Sequence, residues 1–216
     1  MRFLTILLTL LLALATPALA QAPHSHQHSF GDADKWAKVF DDPARDAWQK
    51  PHEVIEALAL KSAAAVADLG AGTGYFAMRL AHMVSKGRVY GVDLEPGMVK
   101  YLAERAKKAG LKNLSAVQGT PSDAKLPAKV DLVLLVDVYH HIGKREAYFG
   151  KLASALKPGG RVAVIDFNAS SKVGPPVRER MTAEQVQAEM GKAAYRLAAH
   201  HDFLPNQYFL VFERSK

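Results

Sequence analysis

Two rhythms of apolar and polar positions alternate along this chain. Short apolar runs recur at 63–69, 87–93, 114–118, 130–136 and 161–165 and read as strands. The runs 63–69 and 130–136 are apolar enough to be buried on both faces, as in a parallel sheet. Between them lie stretches with helical spacing. One is 75–83. A second is 98–109, following Pro96, with Val99, Leu102 and Ala106 on one face; a third is 145–156, closed by Pro158 and glycines. Ahead of the first strand, 34–60 predicts two short helices, with Pro51 suited to a first helical position. After the fifth strand, 168–180 is irregular and contains Pro175-Pro176. Thr182-Ala-Glu-Gln185 then fits a capping box that opens a helix to about Met190. The stretches 195–199 and 208–212 predict a final antiparallel pair joined through Pro205-Asn206. The βα alternation predicts an α/β fold with a parallel sheet and right-handed crossovers.

The first strand leads into Asp68-Leu-Gly70-Ala71-Gly72-Thr-Gly74, and the helix beginning at Tyr75 follows directly. Glycines at alternate positions permit a tight turn and close approach of a ligand to the backbone. Strand, glycine turn and helix start together offer amide groups to an anionic or polar ligand. The spacing is G-x-G-x-G, with Tyr75 where a dinucleotide fingerprint has its third glycine. The second strand ends in Asp93, which can accept two hydrogen bonds from a ribose diol. Lys157-Pro-Gly-Gly160 reads as a turn leading into the strand that ends at Asp166.

These pieces resemble a class I S-adenosylmethionine (SAM) dependent methyltransferase. The matching residues are Asp68-Leu-Gly-Ala-Gly-Thr-Gly74, Val92-Asp93, Val130-Asp-Leu-Val-Leu-Leu-Val136 and Leu156-Lys-Pro-Gly-Gly160, in the family's order and spacing. The branch it is most similar to is the quinone-biosynthesis and phospholipid-methylating one. The resemblance implies a Rossmann-like, doubly wound, seven-stranded and mostly parallel sheet with an antiparallel seventh strand, and SAM as cofactor. It implies that Gly70, Ala71, Gly72 and Gly74 face the methionine carboxylate and that Asp68 holds its ammonium. Asp93 would take the ribose hydroxyls and Leu94 would cover the adenine. Similar enzymes carry Gly-Asp after the third strand. Here the pair is Gly119-Thr120, so Asp123 or Thr120 is expected at the adenine edge. The fourth strand ends Val136-Asp-Val-Tyr-His-His141, on the side that faces the transferred methyl. Asp137 is expected to line the SAM site. Tyr139, His140 and His141 are candidates for acceptor contact or proton removal, or else for helix capping; an imidazole with a pKa of about 6.5 suits an O–H nucleophile. An Asp/Asn-Pro-Pro-Tyr signature for methylating exocyclic base or glutamine nitrogens is absent. In similar enzymes a segment before the sheet covers the SAM site. The polar stretch 40–51 around Trp48 either does this or brings Trp36 and Trp48 to close the core.

Residues 1–20 change the setting. Arg2 is their only charge, a Leu/Ala/Ile run follows, and Ala18-Leu19-Ala20 supplies a small-x-small site before Gln21. This predicts a secretory signal peptide and export rather than an uncleaved membrane anchor, because the run is shorter than the ~20 residues of a span. Residues 21–33 predict a His-rich flexible linker. Its His24, His26 and His28 either are merely solvated or face one way in an extended chain and bind a metal. The methyltransferase domain is expected over 34–216, long enough for one full core. The chain has no cysteine, which excludes disulfides, thiol nucleophiles and thiolate metal sites. The formal charge is +7, or +6 without Arg2. That fits peripheral contact with anionic membrane surfaces or an acidic substrate, while no basic run with interleaved aromatics suggests nucleic acid. With no separate substrate domain, the leading expectation is methyl transfer to a small-molecule or lipid-like acceptor. The alternatives are a non-catalytic exported SAM- or metal-binding protein and an NAD-type oxidoreductase; Tyr75 and Lys157-Pro-Gly-Gly160 count against the latter.

Overall fold

A computed structural model describes residues 32–215. The expected signal peptide, and with it His24, His26 and His28, lies outside the described residues. Of the expected linker, Asp32 and Ala33 are described: they cap and open the first helix, α1 (Ala33–Phe40).

Seven strands form one sheet: β1 (Ala65–Leu69), β2 (Arg88–Asp93), β3 (Leu114–Gln118), β4 (Val130–Val136), β5 (Leu156–Phe167), β6 (Tyr195–His201) and β7 (Gln207–Arg214). Their spatial order is β3-β2-β1-β4-β5-β7-β6. The pairs among β1 to β5 are parallel, and β7 runs antiparallel between β5 and β6. This is the Rossmann-like α/β architecture with the inserted antiparallel seventh strand.

The apolar run of β4 is explained by the layers on either side. Leu132 and Leu134 pack with Val54, Phe76, Leu80 and Leu102 on one face. Val133 and Leu135 pack with Phe149, Leu152, Val186 and Met190 on the other. Helices α3 (Pro51–Ala57), α4 (Tyr75–Met83) and α5 (Pro96–Lys108) cover the first face, and α6 (Arg145–Leu152) and α7 (Ala183–Lys192) cover the second. A strand buried on both sides has no position at which a polar side chain is solvated, so alternation disappears.

Three features differ from the expected pattern. The β3–β4 connection, 119–129, contains no helix; Pro121 and Pro127 interrupt it. Lys157-Pro-Gly-Gly160 is the irregular start of β5 rather than a turn before it, with Gly159 at φ +74° and a register shift between Val130 and Leu132. The segment before the sheet has three helices, because α2 (Asp46–Gln49) separates α1 from α3, with Lys50 in the left-handed region between α2 and α3.

Candidate active site

Each of the four central parallel strands brings a carboxylate to its carboxyl end: Asp68 on β1, Asp93 on β2, Asp137 just past β4 and Asp166 on β5. The loop 70–74 turns between β1 and α4 with Gly70, Gly72 and Gly74 at φ +70°, +53° and +97°. At Gly70 the freedom is needed twice over. Its φ is left-handed, and a Cβ there would lie 2.3 Å from the Val138 side chain.

The loop amides differ from the expected open cradle. Gly70 and Ala71 both donate to the Val92 carbonyl (2.8 and 3.0 Å), Gly72 donates to Asp93 (2.8 Å), and Gly74 donates to the Ala71 carbonyl (2.8 Å). Asp93 also accepts the Glu95 amide at 3.0 Å, so its carboxylate ties the glycine loop to the start of α5. Leu94 beside it is nearly half exposed, a large apolar side chain available to a planar ligand, and Gly119 packs near it. Thr73 lies inside the loop with a buried hydroxyl that has no partner among the described residues.

Asp68 and Asp137 are the electrostatic focus. Burial pushes the Asp68 carboxyl up to about 7, against the pull of the Ala77 amide and the Arg45 charge. Asp137 is also pushed up to about 7, first by burial and then by Asp166, against Arg45, Gln207 and His140. Its backbone is left-handed (φ +60°), a conformation costing a non-glycine residue about 1 kcal/mol. Asp137 accepts from Gln207 (2.5 Å) and from Arg45 (3.3 Å).

Arg45 comes from the segment before the sheet. It also donates to Gln49 and to the Phe40 carbonyl, and its guanidinium carbon lies 4.1 Å from the Tyr75 ring centre. Gln49 in turn donates to Gln207 at 2.6 Å, closing a ring of four side chains. A Cβ on Gly72 would meet the Phe40 ring at 3.3 Å. Residues 33–50 therefore lie over the glycine loop as a strap. Its helix α1 buries no residue, and neither Trp36 nor Trp48 joins the core. Trp36 stacks on Phe40 and Trp48 tilts against Phe167.

The three residues after Val138 separate in role. His140 is almost wholly buried, its Nδ1 lying 2.9 Å from both oxygens of Asp166, while its backbone amide also donates to Asp166. Burial works against the imidazolium, but the hydrogen bond and charge of Asp166 outweigh it, and the His140 pKa is raised. His141 is exposed and its ring tilts against that of His140, with centroids 4.0 Å apart. Tyr139 departs from the expectation: its ring is buried against Phe149 and its hydroxyl donates to Glu189 of α7, which also pairs with Arg145. It belongs to the packing between sheet and helices.

Asp123 also departs. Its carboxylate is held by the Lys151 ammonium (2.8 Å), the Lys125 amide and the Lys125 ammonium, and the Lys151 hydrogen bond leads in pulling its pKa down to about 2. With no helix in 119–129, this loop passes beneath α6 and turns Asp123 toward it. Thr120, whose hydroxyl donates to the Asp123 carbonyl, stays beside Gly119.

Arg45, Gln49, Asp166, Gln207 and Tyr208 are site residues that pattern reading missed. Tyr208 pairs with Asp166 across β5 and β7, and its buried hydroxyl has no partner among the described residues. The available signal was the repeat of Asp at strand ends, which Asp166 completes.

Comparison with known proteins agrees with this layout. A family model described as a methyltransferase domain matches residues 60–205, about two thirds of the chain. The chain is 25% identical over 175 residues to malonyl-[acyl-carrier protein] O-methyltransferase of Acetivibrio thermocellus, covering 80% of this chain and 57% of that protein. It is 26% identical over 124 residues to a ubiquinone/menaquinone biosynthesis C-methyltransferase of Shewanella frigidimarina, covering 56% and 49%. The chain thus spans about half the length of these curated relatives, and less of some others. A SAM dependent methyltransferase structure from Aquifex aeolicus superposes with a TM-score of 0.77 at 27% identity, covering 84% of this chain and 97% of that one. Magnesium protoporphyrin IX methyltransferase from Synechocystis PCC 6803, solved with bound S-adenosylhomocysteine, shares the fold at a TM-score of 0.66 and 19% identity, covering 86% and 96%. Sheet order, glycine loop, strand-end carboxylates and the matched family model lead to one conclusion: this chain belongs to the methyltransferase-domain family.

Proposed function

We propose that the protein is a SAM-dependent methyltransferase acting on a small or lipid-like acceptor that carries a dissociable proton. The observation that carries the reading is the left-handed glycine loop set among four strand-end carboxylates. Two of these carboxyls, Asp68 and Asp137, share the single guanidinium of Arg45 and remain partly protonated near neutrality. A cationic ligand would supply the missing charge, and SAM carries both an ammonium and a sulfonium. The orphaned Thr73 hydroxyl inside the loop fits the same group.

In this reading Asp93 and Leu94 hold ribose and adenine, and Asp68 and Asp137 hold the ammonium. SAM supplies a methyl group already activated on sulfur, so alignment of the acceptor accounts for much of the rate. His140 is the base. Asp166 holds Nδ1–H, which leaves Nε2 as the ring atom that takes the acceptor's proton and fixes the tautomer. The strap keeps water from the loop. Export is part of the proposal and rests on residues 1–20; mature protein beginning at Gln21, identified by N-terminal sequencing of an extracytoplasmic fraction, is the expected result.

Titration calorimetry tests the reading. The folded protein should bind SAM and not a nicotinamide dinucleotide. Asp93→Ala should weaken SAM by about 1–3 kcal/mol through loss of a charge-assisted double contact. A folded protein that takes no SAM, or an Asp93→Ala variant that binds it unchanged, rules this site out. Incubation with methyl-labelled SAM and membrane extracts then identifies the acceptor.

A further inference from the structure

Four of the five amides in the glycine loop are already engaged: those of Gly70 and Ala71 by Val92, that of Gly72 by Asp93 and that of Gly74 by Ala71. A methionine carboxylate lying on this loop would leave water without the amide partners usually offered by such a turn. A desolvated anion lacking a partner is costly. The counter-charge must come from a side chain near the loop.

Three arginines are close. Arg105 donates to the Thr73 carbonyl and is paired with Asp41 at 2.8 Å. Arg79 donates to the Tyr75 carbonyl and is paired with Asp46. Each thus has its own carboxylate on the strap. Arg45 is held differently. Its carboxylate contact, to Asp137, is the longest of the three at 3.3 Å, and Asp137 is shared with Gln207. Four of its five N–H donors are used, by Gln49 twice, Phe40 and Asp137; the fifth, on Nη1, has no partner among the described residues. The guanidinium lies 4.1 Å from the ring centre of Tyr75, the residue that opens α4, and its charge reaches Asp68. The Phe40 carbonyl that orients it belongs to the residue packed over Gly72.

We propose that Arg45 is the binding residue for the carboxylate of the SAM methionine group, with Asp68 and Asp137 taking the ammonium beside it. The inference rests on the reading that SAM occupies this loop. It assigns the zwitterion's two ends to two different parts of the molecule. The sheet holds the cation and the strap holds the anion, so the strap is completed by the ligand it covers.

The test uses three probes in titration calorimetry with the full chain: SAM, S-adenosylhomocysteine, and 5′-methylthioadenosine, which lacks the amino-acid end. Arg45→Gln should weaken the first two on the order of ten- to hundredfold and leave 5′-methylthioadenosine within about twofold. Arg45→Lys, which keeps the charge but not the planar fork, should recover part of the loss and keeps the test intact if the Gln variant folds poorly. Gln49→Ala loosens the strap without removing charge and should affect all three probes alike. Equal weakening of all three probes by Arg45→Gln would mean Arg45 only fastens the strap, and tighter SAM binding would mean it competes with the cationic ligand; either overturns the inference. If the parent binds 5′-methylthioadenosine and SAM equally well, the loop holds no amino-acid end and the inference also fails. A parent that binds none of the probes instead refutes SAM occupancy itself.

Discussion

The strap over residues 33–50 and the centre of the sheet are held by opposite physics. At the centre, β1, β4 and β5 are apolar on both faces, and Val66, Leu132, Leu134, Val164 and Ile165 have no exposed surface. The strap is fastened almost wholly by polar contacts: Asp41 with Arg105, Asp46 with Arg79 and Tyr75, Arg45 with Asp137, Gln49 with Gln207, and Lys50 with the Phe203 carbonyl. Apolar burial is non-directional and large, so it fixes a framework. The outer ion pairs, Asp46 with Arg79 and Asp41 with Arg105, are partly exposed, and such pairs are each worth little and can be exchanged one at a time. The difference suits a framework that must not move and a cover that must open for a ligand.

The sharpest way to break the comparison is Leu134→Ala at the centre of β4. It should cost about 2–5 kcal/mol in denaturant unfolding, because a cavity opens where both faces are packed. A loss below that of the strap variants would contradict the assignment of roles.

Gly70 and Gly72 sharpen it within one loop. Gly70 faces the framework, where an added Cβ lies 2.3 Å from Val138, so Gly70→Val should cost about 2–4 kcal/mol of stability. Gly72 faces the strap, and Phe40 lies 3.3 Å from its added Cβ. Gly72→Val should lose only about 1–2 kcal/mol to backbone strain yet abolish SAM binding in calorimetry. Equal stability losses with binding retained would show that the loop is purely structural.

The third prediction separates fold from site by pH. Asp68 and Asp137, raised from 3.8 to about 7, hold protons in the folded chain that they have released in the unfolded one over that range. Their contribution to stability is therefore present at low pH and lost as pH rises through 7. Affinity for cationic SAM should move the other way and rise roughly tenfold from pH 6 to pH 8, as binding need no longer expel a proton. Turnover should rise in the same direction past the ordinary imidazole range, because His140 must be neutral to act as base and Asp166 raises its pKa. An affinity flat from pH 6 to 8 would place the ammonium elsewhere.

The smallest effect is expected at the strap's outer fastening. Asp41→Ala should lower global stability by at most ~1 kcal/mol while speeding hydrogen exchange in 33–50 and leaving β4 protected. Raising the salt concentration should imitate it in the parent protein. Exchange that accelerates equally in strap and sheet would show that they open as one unit.

Much of this molecule was legible without coordinates. The apolar runs at 114–118 and 130–136 are β3 and β4, the helix at 75–83 is α4, and Thr182 caps α7 through the predicted reciprocal bonds with Gln185. These features are local: periodicity, a cap and a glycine turn act over a few residues, so a single stretch of chain carries the whole instruction. The sequence also brought Asp68, Asp93, Asp137 and His140 to the same end of the sheet, because strand direction decides which end that is. Partnership was left to the tertiary structure. Whether an aspartate faces a ligand or a lysine depends on the path of a loop, and the helix missing from 119–129 sent Asp123 to Lys151. Whether a residue after a strand reaches the site depends on which face it turns to; Tyr139 turned toward α7 and His140 toward Asp166. The engagement of the loop amides and the arrival of Arg45, 92 positions away from Asp137, are likewise long-range. Such contacts are chosen by what the packed sheet leaves within reach, and no local pattern encodes that choice.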